Sequence, residues 1–381
     1  MARALVNGKI FTGEQWLEHH ALIIDGDSIS AICSQDELPQ VDEQIDLQGM
    51  RLLPGLIDTQ VNGGGGVLFN DAPTVETLRT MGEAHRRFGT TGFLPTLISD
   101  DLSVVTEAIA AVDQAITEKV PGVLGIHLEG PFLNPARKGV HNADKFCTMD
   151  DAALKLFTSL KQGKTLVTLA PELTTPAMIE QLVAAGVIVS AGHSAADFAQ
   201  TKIGLAAGIN SFTHLFNAMT PLSSREPGMV GAALEDDESY CGIIVDGFHV
   251  HPAVLKIAIA AKKRGKMLLV TDAMPTVGAA KKEFRLNGEL IVSVDGRCAT
   301  ATGTLAGSDL DMLGAVRNTT TMLGLDLAEA TRMASLYPAT MLGLQAQLGN
   351  LKTGSKANMI LVDEHLNLLT SWIDGEAVTS H

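Results

Sequence analysis

Apolar and polar positions alternate regularly through the middle of this 381-residue chain. Short runs rich in aliphatic and β-branched residues predict buried strands. Most segments between those runs repeat apolar residues every three or four positions, which predicts amphipathic helices. Eight strands are predicted, at residues 55–60, 92–99, 123–129, 165–172, 187–193, 210–215, 241–246 and 266–272.

Three of the intervening segments carry the features expected of helices. Thr175 followed by Pro176 is a typical helix start, since threonine caps the helix and proline is tolerated at its first position. The segment 252–265 ends on cations and a glycine, which is a typical helix end, and residues 308–324 have helical periodicity. Eight β/α units predict a TIM-type (β/α)8 barrel of the α/β class. The alternative is a doubly wound open sheet, but the glycines at 63–66 lack the G-x-G-x-x-G spacing typical of that fold.

The sequence pattern at both ends of the chain differs from that of the middle. They contain short alternating runs separated by Asn-Gly and Asp-Gly pairs, which are strong hairpin-turn signals. Two β-rich ends that flank a long α/β segment predict one small β domain built from both termini. We therefore predict a β domain at residues 1–53 plus 345–381 and a barrel domain at residues 54–344.

Composition and charge restrict the partners. The formal net charge of −15 repels nucleic acid and anionic lipid, so neither is an expected partner. A phosphorylated substrate would need a local cluster of cations. The four cysteines (Cys33, Cys147, Cys241 and Cys298) are scattered without a CxxC pair, which favours reduced thiols in the cytoplasm. The first residues lack an apolar signal core and no apolar run reaches membrane-spanning length, so no membrane contact is expected.

Three of the predicted strands end on metal-ligand residues. Glu129 ends the third strand, and His193 and His214 end the fifth and sixth. In a barrel the carboxyl ends of the strands converge on one active site. Two imidazoles and a carboxylate can hold a divalent metal ion and leave one position open for water. A lone histidine would be read as a hydrogen-bonded core residue, but the shared placement favours a metal site.

Other polar residues allow both a functional and a structural interpretation. Asp272 ends the eighth strand, where it could be a general base or a turn aspartate. Glu172 could support the site or form a salt bridge, and His127 could support Glu129 or pack structurally. His251 precedes a proline and is expected to cap a helix. The remaining histidines outside the motifs below are expected at the solvated surface: His19, His20, His85, His365 and His381.

Ordered motifs around these residues resemble a known family. LLPGLIDTQVNG (52–63) is similar to the first-strand signature of the amidohydrolase superfamily. The order and spacing of eight further motifs resemble the family of N-acetylglucosamine-6-phosphate deacetylases, over essentially the whole chain. These motifs are HLEGPF (127–132), KGVHN (138–142), SAGHS (190–194), THLFNAM (213–219), REPG (225–228), DGFHV (246–250), VTDA (270–273) and GTLAGS (303–308).

The resemblance implies a TIM-type barrel with a small β-sandwich formed by both termini. It implies hydrolysis of N-acetyl-D-glucosamine 6-phosphate to D-glucosamine 6-phosphate and acetate, in amino-sugar catabolism or recycling. It also implies a homodimer or homotetramer with phosphate contacts near the subunit interface. The residues it assigns are Glu129, His193 and His214 to the metal, Asp272 and His141 to catalysis, and Val140, His141, Asn217, Ala218, Arg225, His249, Leu305, Ala306 and Gly307 to the substrate.

One departure from the superfamily pattern concerns the first strand. Where many members have two histidines, this chain has Gln60 and Asn62. Amides are poor ligands for zinc compared with imidazole. We therefore predict one divalent metal ion per subunit, with zinc as the first choice and iron, cobalt or manganese as alternatives. Gln60 and Asn62 are predicted to support the ligands, and Gln60 to hydrogen-bond the reacting water.

Alternative functions remain open from the sequence. A cyclic amidase would typically carry the two first-strand histidines and a bridging lysine, which this chain lacks. A preference for N-acetylgalactosamine 6-phosphate depends on the orientation of one hydroxyl. A non-catalytic phosphosugar-binding protein would have no need for the metal ligands and Asp272. Arg225 suits bidentate phosphate binding, but it could instead pair with Glu226 or another acid at the surface.

Overall fold

The computed structural model describes residues 1–379, so the histidine at position 381 lies outside the described residues. The chain divides into two compact units. The terminal unit comprises Met1–Asp58, His85–Gly92 and Met312–His381, and the barrel unit comprises Thr59–Ala84 and Phe93–Asp311. No helix among the described residues is both long and apolar enough to cross a membrane.

Seven short strands occupy the first 54 residues, and one 3-10 helix (Gln35–Glu37) lies among them. Asn7 adopts a left-handed backbone at the first predicted Asn-Gly turn. The strands are β1 (Ala2–Val6), β2 (Lys9–Phe11), β3 (Trp16–Leu17), β4 (His20–Asp25), β5 (Ser28–Ser34), β6 (Glu43–Asp46) and β7 (Arg51–Pro54).

Strands and helices then alternate as the apolar pattern predicts. Short 3-10 helices lie at Pro135–Arg137, Ala143–Lys145 and Pro171–Leu173. The elements are β8 (Leu56–Val61), β9 (Gly63–Gly64), β10 (Val67–Leu68), α1 (Val75–Arg86), β11 (Thr90–Ile98), α2 (Leu102–Thr117), β12 (Gly125–Glu129), α3 (Asp151–Phe157), β13 (Lys164–Leu169), α4 (Pro176–Ala184), β14 (Ile188–Ala191), α5 (Phe198–Ala206), β15 (Ser211–Phe212), α6 (Gly228–Glu235), β16 (Tyr240–Ile243), α7 (Pro252–Ala261) and β17 (Met267–Leu269).

The remaining chain forms a small antiparallel sheet, three helices and three more strands. These elements are β18 (Glu283–Leu286), β19 (Glu289–Val294), β20 (Arg297–Ala299), α8 (Met312–Thr321), α9 (Leu327–Ala334), α10 (Leu336–Met341), β21 (Met359–Val362), β22 (Leu368–Ile373) and β23 (Glu376–Thr379).

Eight parallel strands form the barrel in the order β17-β16-β15-β14-β13-β12-β11-β8. The ring closes between the first and last strands, where Val61 bridges Ala273 in parallel. Asp272 N donates to Gln60 O at 3.0 Å across this junction. β8 and β11 are buried at every position, as expected for parallel strands covered on both faces. The predicted barrel is confirmed, and the open-sheet alternative is wrong.

Two sheets make the predicted sandwich in the terminal unit. One has the order β5-β4-β1-β6, and the other has the order β23-β22-β21-β7-β2-β3. The second sheet joins strands from both ends of the chain, as predicted. The core between the sheets contains Leu5 and Leu22 from the first sheet and Leu52, Met359 and Trp372 from the second.

Several local predictions need correction. Three strands end before the polar residues that were expected to terminate them: β14 ends at Ala191, β15 at Phe212 and β17 at Leu269. His193, His214 and Asp272 follow in the loops, where each has a positive φ angle and not the extended backbone of a strand. Glu172 lies in the 3-10 helix Pro171–Leu173 and not at the end of a strand. His85 is fully buried, because it follows the buried Leu78 and Met81 on one face of α1; its i, i+3, i+7 spacing was a readable signal.

The three-stranded sheet β18-β19-β20 was missed by the sequence analysis. Its two turns are Asn287–Gly288 and Asp295–Gly296, and all four residues have positive φ angles. This is the geometry of tight hairpin turns that favour Asn-Gly and Asp-Gly pairs. The same signal that was used at the chain ends could have located this sheet. The predicted helix caps at Thr175 and His251 are confirmed, since both accept a hydrogen bond from the first turn.

Candidate metal centre and active site

Three side chains meet at the carboxyl ends of the barrel strands. His193 Nε2 lies 3.0 Å from Glu129 Oε1, and His214 Nε2 lies 3.1 Å from the same oxygen. The two Nε2 nitrogens are 3.0 Å apart. All three side chains are buried. The structure thus brings together the three residues that the sequence predicted as metal ligands.

This donor set suits a divalent cation. Two imidazoles and one carboxylate are typical zinc ligands, and three protein ligands leave a fourth position for water or substrate. Their mutual distances of 3.0–3.1 Å approach the roughly 3.3 Å edge of a tetrahedron with metal–ligand distances of about 2.0 Å. Among residues 1–379, these are the one group of three or more His, Cys, Asp or Glu side chains with a metal-binding arrangement.

The electrostatics of Glu129 and the orientation of His193 both favour a bound cation. Burial would raise the pKa of Glu129, but hydrogen bonding and charge at His193 and His214 hold that pKa well below its usual range. His193 Nδ1 lies 2.8 Å from the carbonyl oxygen of Arg137. A carbonyl can only accept, so Nδ1 carries a proton and Nε2 is the nitrogen that faces Glu129.

Asp272 is tied to the ligand cluster through two amides. Its Oδ1 accepts hydrogen bonds from Asn62 Nδ2 at 2.7 Å and from Gln60 Nε2 at 3.1 Å. Gln60 Nε2 also lies 3.2 Å from Glu129 Oε2. Burial, followed by the charge of Glu129, raises the pKa of Asp272. Both of these amides donate to Oδ1, and no residue between 1 and 379 donates a hydrogen bond to Asp272 Oδ2.

His141 faces the same cluster. Its Nε2 lies 3.9 Å from Glu129 Oε1, and the centroids of its ring and the His193 ring are 4.4 Å apart. Its Nδ1 lies 2.9 Å from Ser99 Oγ. Burial lowers the pKa of His141 to about 3, so the ring is neutral at physiological pH. Ser99 was not singled out by the sequence, because a serine at a strand end has no distinctive pattern.

The turn after β15 holds Asn217 and Ala218. Asn217 donates both its backbone N–H and its side-chain amide to the carbonyl of His214, at 3.0 and 3.1 Å. Ala218 has a φ of 51°, and its carbonyl accepts from Ser194 N at 3.1 Å. These contacts connect the loop that carries His214 to the loop that follows His193.

The segment Leu305, Ala306 and Gly307 lies against the end of the eighth barrel strand. Gly307 has a φ of 56°, a conformation that glycine adopts with little strain. A Cβ at this position would lie 2.7 Å from Asp272 O and 2.6 Å from Met274 Cγ. The close approach places this loop beside the backbone of Asp272.

His249 is oriented by Asp246. His249 Nδ1 lies 2.6 Å from Asp246 Oδ2, and Asp246 Oδ1 accepts the backbone N–H groups of Phe248 and His249 at 2.8 and 2.9 Å. Burial would raise the pKa of Asp246, but these hydrogen bonds and the charge of His249 lower it. Asp246 ends the seventh predicted strand, and its function as a partner of His249 was not predicted.

Arg225 stays apart from the ligand cluster. Its side chain is exposed, and it forms no ion pair with any residue that the structure describes. The predicted alternative, a pair with Glu226 or another acid, does not form among the described residues. Glu226 Oε1 instead accepts the N–H groups of Phe198 and Gly228, both at 3.0 Å. The structure therefore leaves this guanidinium available at the surface.

Two other polar residues make hydrogen bonds near the metal-ligand cluster. Glu172 accepts hydrogen bonds from Ser194 Oγ at 2.6 Å and from Ala195 N at 2.7 Å, so it fixes the loop that follows His193. His127 lies inside the barrel and contacts threonine hydroxyls on either side: Thr96 at 3.0 Å and Thr168 at 2.8 Å. Burial lowers the pKa of His127 to about 4.

A cavity of about 510 Å³ adjoins His141. One wall is the loop 138–144, and the other is the sheet β18-β19-β20 with the following residues to Thr304. Asn287 Nδ2 donates to the carbonyl of Val140 at 3.0 Å, which joins the two walls. The volume falls in the range of small-molecule sites.

A closed parallel barrel with a Glu-His-His cluster and an adjacent aspartate defines a class: a barrel hydrolase with a candidate metal centre. The Amidohydrolase family matches residues 51–378, and the NagA composite domain matches residues 3–52. The chain belongs to the amidohydrolase family and is a hydrolytic enzyme.

Known proteins are similar over nearly all of the chain. An N-acetylgalactosamine-6-phosphate deacetylase of Shewanella sp. (strain ANA-3) is 46% identical over 85% of this chain and 82% of its own length. An N-acetylglucosamine-6-phosphate deacetylase of Haemophilus influenzae is 37% identical over 99% of both chains. The crystal structure of N-acetylglucosamine-6-phosphate deacetylase from Pasteurella multocida superposes with a TM-score of 0.96 at 36% identity, over 100% of both chains.

Proposed function

We propose that this chain hydrolyses the acetamide of N-acetyl-D-glucosamine 6-phosphate and releases D-glucosamine 6-phosphate and acetate, in amino-sugar catabolism or recycling. The observation that carries the proposal is the cluster of Glu129, His193 and His214, linked to Asp272 through Gln60. That arrangement suits hydrolysis of an unactivated amide by an activated water, and relatives named as deacetylases span nearly the whole chain.

Glu129, His193 and His214 would hold one divalent ion per subunit, with zinc as the first choice and iron, cobalt or manganese as alternatives. When bound, such an ion polarises a carbonyl and lowers the pKa of water. Gln60 and Asn62 occupy the first-strand positions and donate to carboxylate oxygens, so they act as supports for the ligand and the base.

Asp272 is the general acid and base. Its free Oδ2 takes a proton from the attacking water as the new C–O bond forms, and its raised pKa strengthens it as a base. It then gives that proton to the sugar nitrogen as the C–N bond breaks, which releases acetate and the amine. His141, 3.9 Å from Glu129, contacts the acetamide carbonyl during this step.

The remaining predicted residues bind the sugar phosphate. Arg225 and His249 contact the phosphate, and Asn217 and Ala218 contact the phosphosugar. Val140 lines the cavity beside His141, and Leu305, Ala306 and Gly307 line the acetyl and sugar pocket. An unpaired guanidinium and an oriented imidazole suit a phosphate dianion, and they supply local positive charge on a chain of net charge −15.

A second candidate substrate is N-acetylgalactosamine 6-phosphate. The observation that favours it is the 46% identity to the Shewanella enzyme, together with 38% identity to an N-acetylgalactosamine-6-phosphate deacetylase of Escherichia coli O157:H7. The two substrates differ in the orientation of one hydroxyl, so the same metal ligands, base and phosphate residues serve both.

We further propose a homodimer, or a homotetramer built from it, in the cytoplasm. Exposed apolar side chains flank the phosphate residues: Leu222 is 56% exposed near Arg225, and Phe248 is 43% exposed beside His249. Such side chains suit a subunit interface. All four cysteines are free, as expected in a reducing compartment. We retain residues 1–53 plus 345–381 as the β-sandwich domain and 54–344 as the catalytic domain.

Acetate release from four substrates tests the function. The substrates are N-acetylglucosamine and N-acetylgalactosamine, each with and without the 6-phosphate. We expect hydrolysis of the phosphorylated sugars, with kcat/KM highest for N-acetylglucosamine 6-phosphate. A higher kcat/KM for the galactosamine epimer would favour the second candidate. Activity confined to the unphosphorylated sugars would refute the phosphate assignments of Arg225 and His249, and no acetate from any of them would refute the proposal.

A further inference from the structure

His141 Nδ1 receives a hydrogen bond from a group that can only donate. The backbone N–H of Ser99 points at this nitrogen at a distance of 3.3 Å. A proton on Nδ1 would face the amide proton directly, so Nδ1 must be the lone-pair nitrogen. A neutral imidazole with a lone pair on Nδ1 carries its proton on Nε2.

The Ser99 hydroxyl contacts the same nitrogen. Ser99 Oγ lies 2.9 Å from His141 Nδ1 and 3.4 Å from the carbonyl oxygen of Glu129. Gly130 makes room for the hydroxyl, because a Cβ at Gly130 would lie 2.2 Å from Ser99 Oγ. The hydroxyl can therefore approach His141 closely while Ser99 stays buried.

The backbone at Ser99 is itself fixed in direction. Asn70 brackets the preceding residue: its Oδ1 accepts from Ile98 N at 3.0 Å, and its Nδ2 donates to Ile98 O at 3.0 Å. The Ile98 carbonyl and the Ser99 N–H belong to the same planar peptide group, so the hydrogen bond to Ile98 O also fixes the direction of the Ser99 N–H. The orientation of the Ser99 N–H is thus determined by two elements, β11 and the loop after β10.

We propose that Ser99 is a positioning residue that selects the Nε2–H tautomer of His141, so that His141 acts on the substrate as a neutral hydrogen-bond donor. The Nε2 side of the ring faces the Glu129, His193 and His214 cluster. A neutral donor aimed at the acetamide carbonyl stabilises the negative charge that develops on its oxygen. This inference rests on the proposed deacetylation for its substrate, but the tautomer itself does not depend on that function.

Neutron diffraction from deuterium-exchanged crystals of the full chain tests the tautomer directly. We expect a deuteron on His141 Nε2, none on Nδ1, and a deuteron on Ser99 N directed at Nδ1. A deuteron on Nδ1 would overturn the proposal. Because this measurement needs no turnover, it distinguishes a wrong tautomer from a wrong function.

Two pairs of variants test the consequence for catalysis. The amide nitrogen of glutamine can occupy the position of imidazole Nε2, whereas that of asparagine reaches only the position of Nδ1. We therefore expect His141→Gln to keep a kcat at least tenfold above that of His141→Asn. Equal or reversed values would contradict the donor role of Nε2–H.

In the second pair, Ser99→Ala removes the hydroxyl and keeps the backbone N–H. The remaining backbone N–H should keep the deuteron on Nε2, but the ring loses the hydroxyl contact that helps hold its orientation. We therefore expect kcat to fall about tenfold, with a smaller change in KM. Ser239→Ala is the matched control, because it removes another buried hydroxyl, which contacts Lys262 and no residue of the site. A Ser99→Ala kcat equal to that of Ser239→Ala would contradict the role of the hydroxyl.

Discussion

Asn62 donates its side-chain amide to Asp272 Oδ1 at 2.7 Å, the shorter of the two amide hydrogen bonds that this oxygen accepts. The second comes from Gln60, whose amide also contacts Glu129 Oε2. In this structure the two amides therefore orient the carboxylate of the proposed base. Because both amides donate to Oδ1, the proposed role of proton acceptor from the reacting water falls to Asp272 Oδ2.

The Asn62→Ala variant should impair this orientation. A hydrogen bond to a charged group contributes about 1.5–3 kcal/mol, so we expect kcat to fall roughly 10- to 100-fold with metal content unchanged. Steady-state kinetics and elemental analysis measure the two quantities. Asn210→Ala is the control, because it removes another side-chain amide and Asn210 forms no hydrogen bond to Asp272. Asn70→Ala is not suitable, because the Asn70 side chain fixes the backbone next to Ser99. Unchanged kcat in Asn62→Ala would show that Gln60 alone suffices.

Asp272→Asn should separate binding from chemistry. The amide keeps the shape of the carboxylate but cannot accept and return a proton, so we expect kcat to fall by about 10²–10⁴. Metal content and substrate affinity should stay close to those of the parent, as measured by elemental analysis and calorimetric titration. Release of acetate at the parental rate would refute the assignment of Asp272 as the general base.

Metal removal should abolish hydrolysis reversibly. We expect a chelator to eliminate acetate release and one equivalent of zinc per chain to restore it, because the described residues offer a single Glu-His-His cluster. His193→Ala should lose the metal, whereas His251→Ala, which removes a helix cap, should retain it. Two equivalents of tightly bound metal per chain would contradict the prediction that Gln60 and Asn62 exclude a second ion.

Asp246→Asn should weaken phosphate binding and change the pH dependence of stability. The amide replaces the charged acceptor that lies 2.6 Å from His249 Nδ1 by a neutral group and so weakens the orientation of the ring. We expect KM to rise roughly tenfold with a smaller effect on kcat, as measured by steady-state kinetics. The lowered pKa of Asp246 stabilises the folded state above the unfolded pKa of about 4.

That contribution is lost as the pH falls through the folded pKa of Asp246. The difference in free energy of unfolding between the parent and Asp246→Asn should therefore be largest near neutral pH and shrink below about pH 4. Chemical denaturation at several pH values measures it. A difference that grew on acidification would contradict the sign of the pKa shift.

Gly307→Ala should destabilise the site locally. Its Cβ would lie 2.7 Å from Asp272 O, and its φ of 56° disfavours a side chain by about 1–2 kcal/mol. We expect a loss of about 1–3 kcal/mol in the free energy of unfolding and a lower kcat. Gly324→Ala is the matched control, because it also has a positive φ but no neighbour within 4 Å of the added Cβ. Equal kinetics in both variants would show that the close approach to Asp272 does not matter for catalysis.

The sequence by itself determined the barrel and the sandwich, and it singled out Glu129, His193 and His214, which the structure brings together as a possible metal-binding cluster. Apolar periodicity and turn pairs report local conformational preference and burial, and these are properties of the chain itself. For the same reason the Asn-Gly and Asp-Gly turns of β18-β19-β20, and the spacing that buries His85, were readable signals that were not used.

Only the tertiary structure decided which polar atoms meet. Ser99 and His141, or Asn62 and Asp272, are separated by 42 and 210 positions along the chain, and no periodicity encodes the direction of a backbone N–H or an amide. His193, His214 and Asp272 also adopt left-handed backbones just after their strands, because the convergence of three loops on one cluster imposes a conformation that local preference opposes.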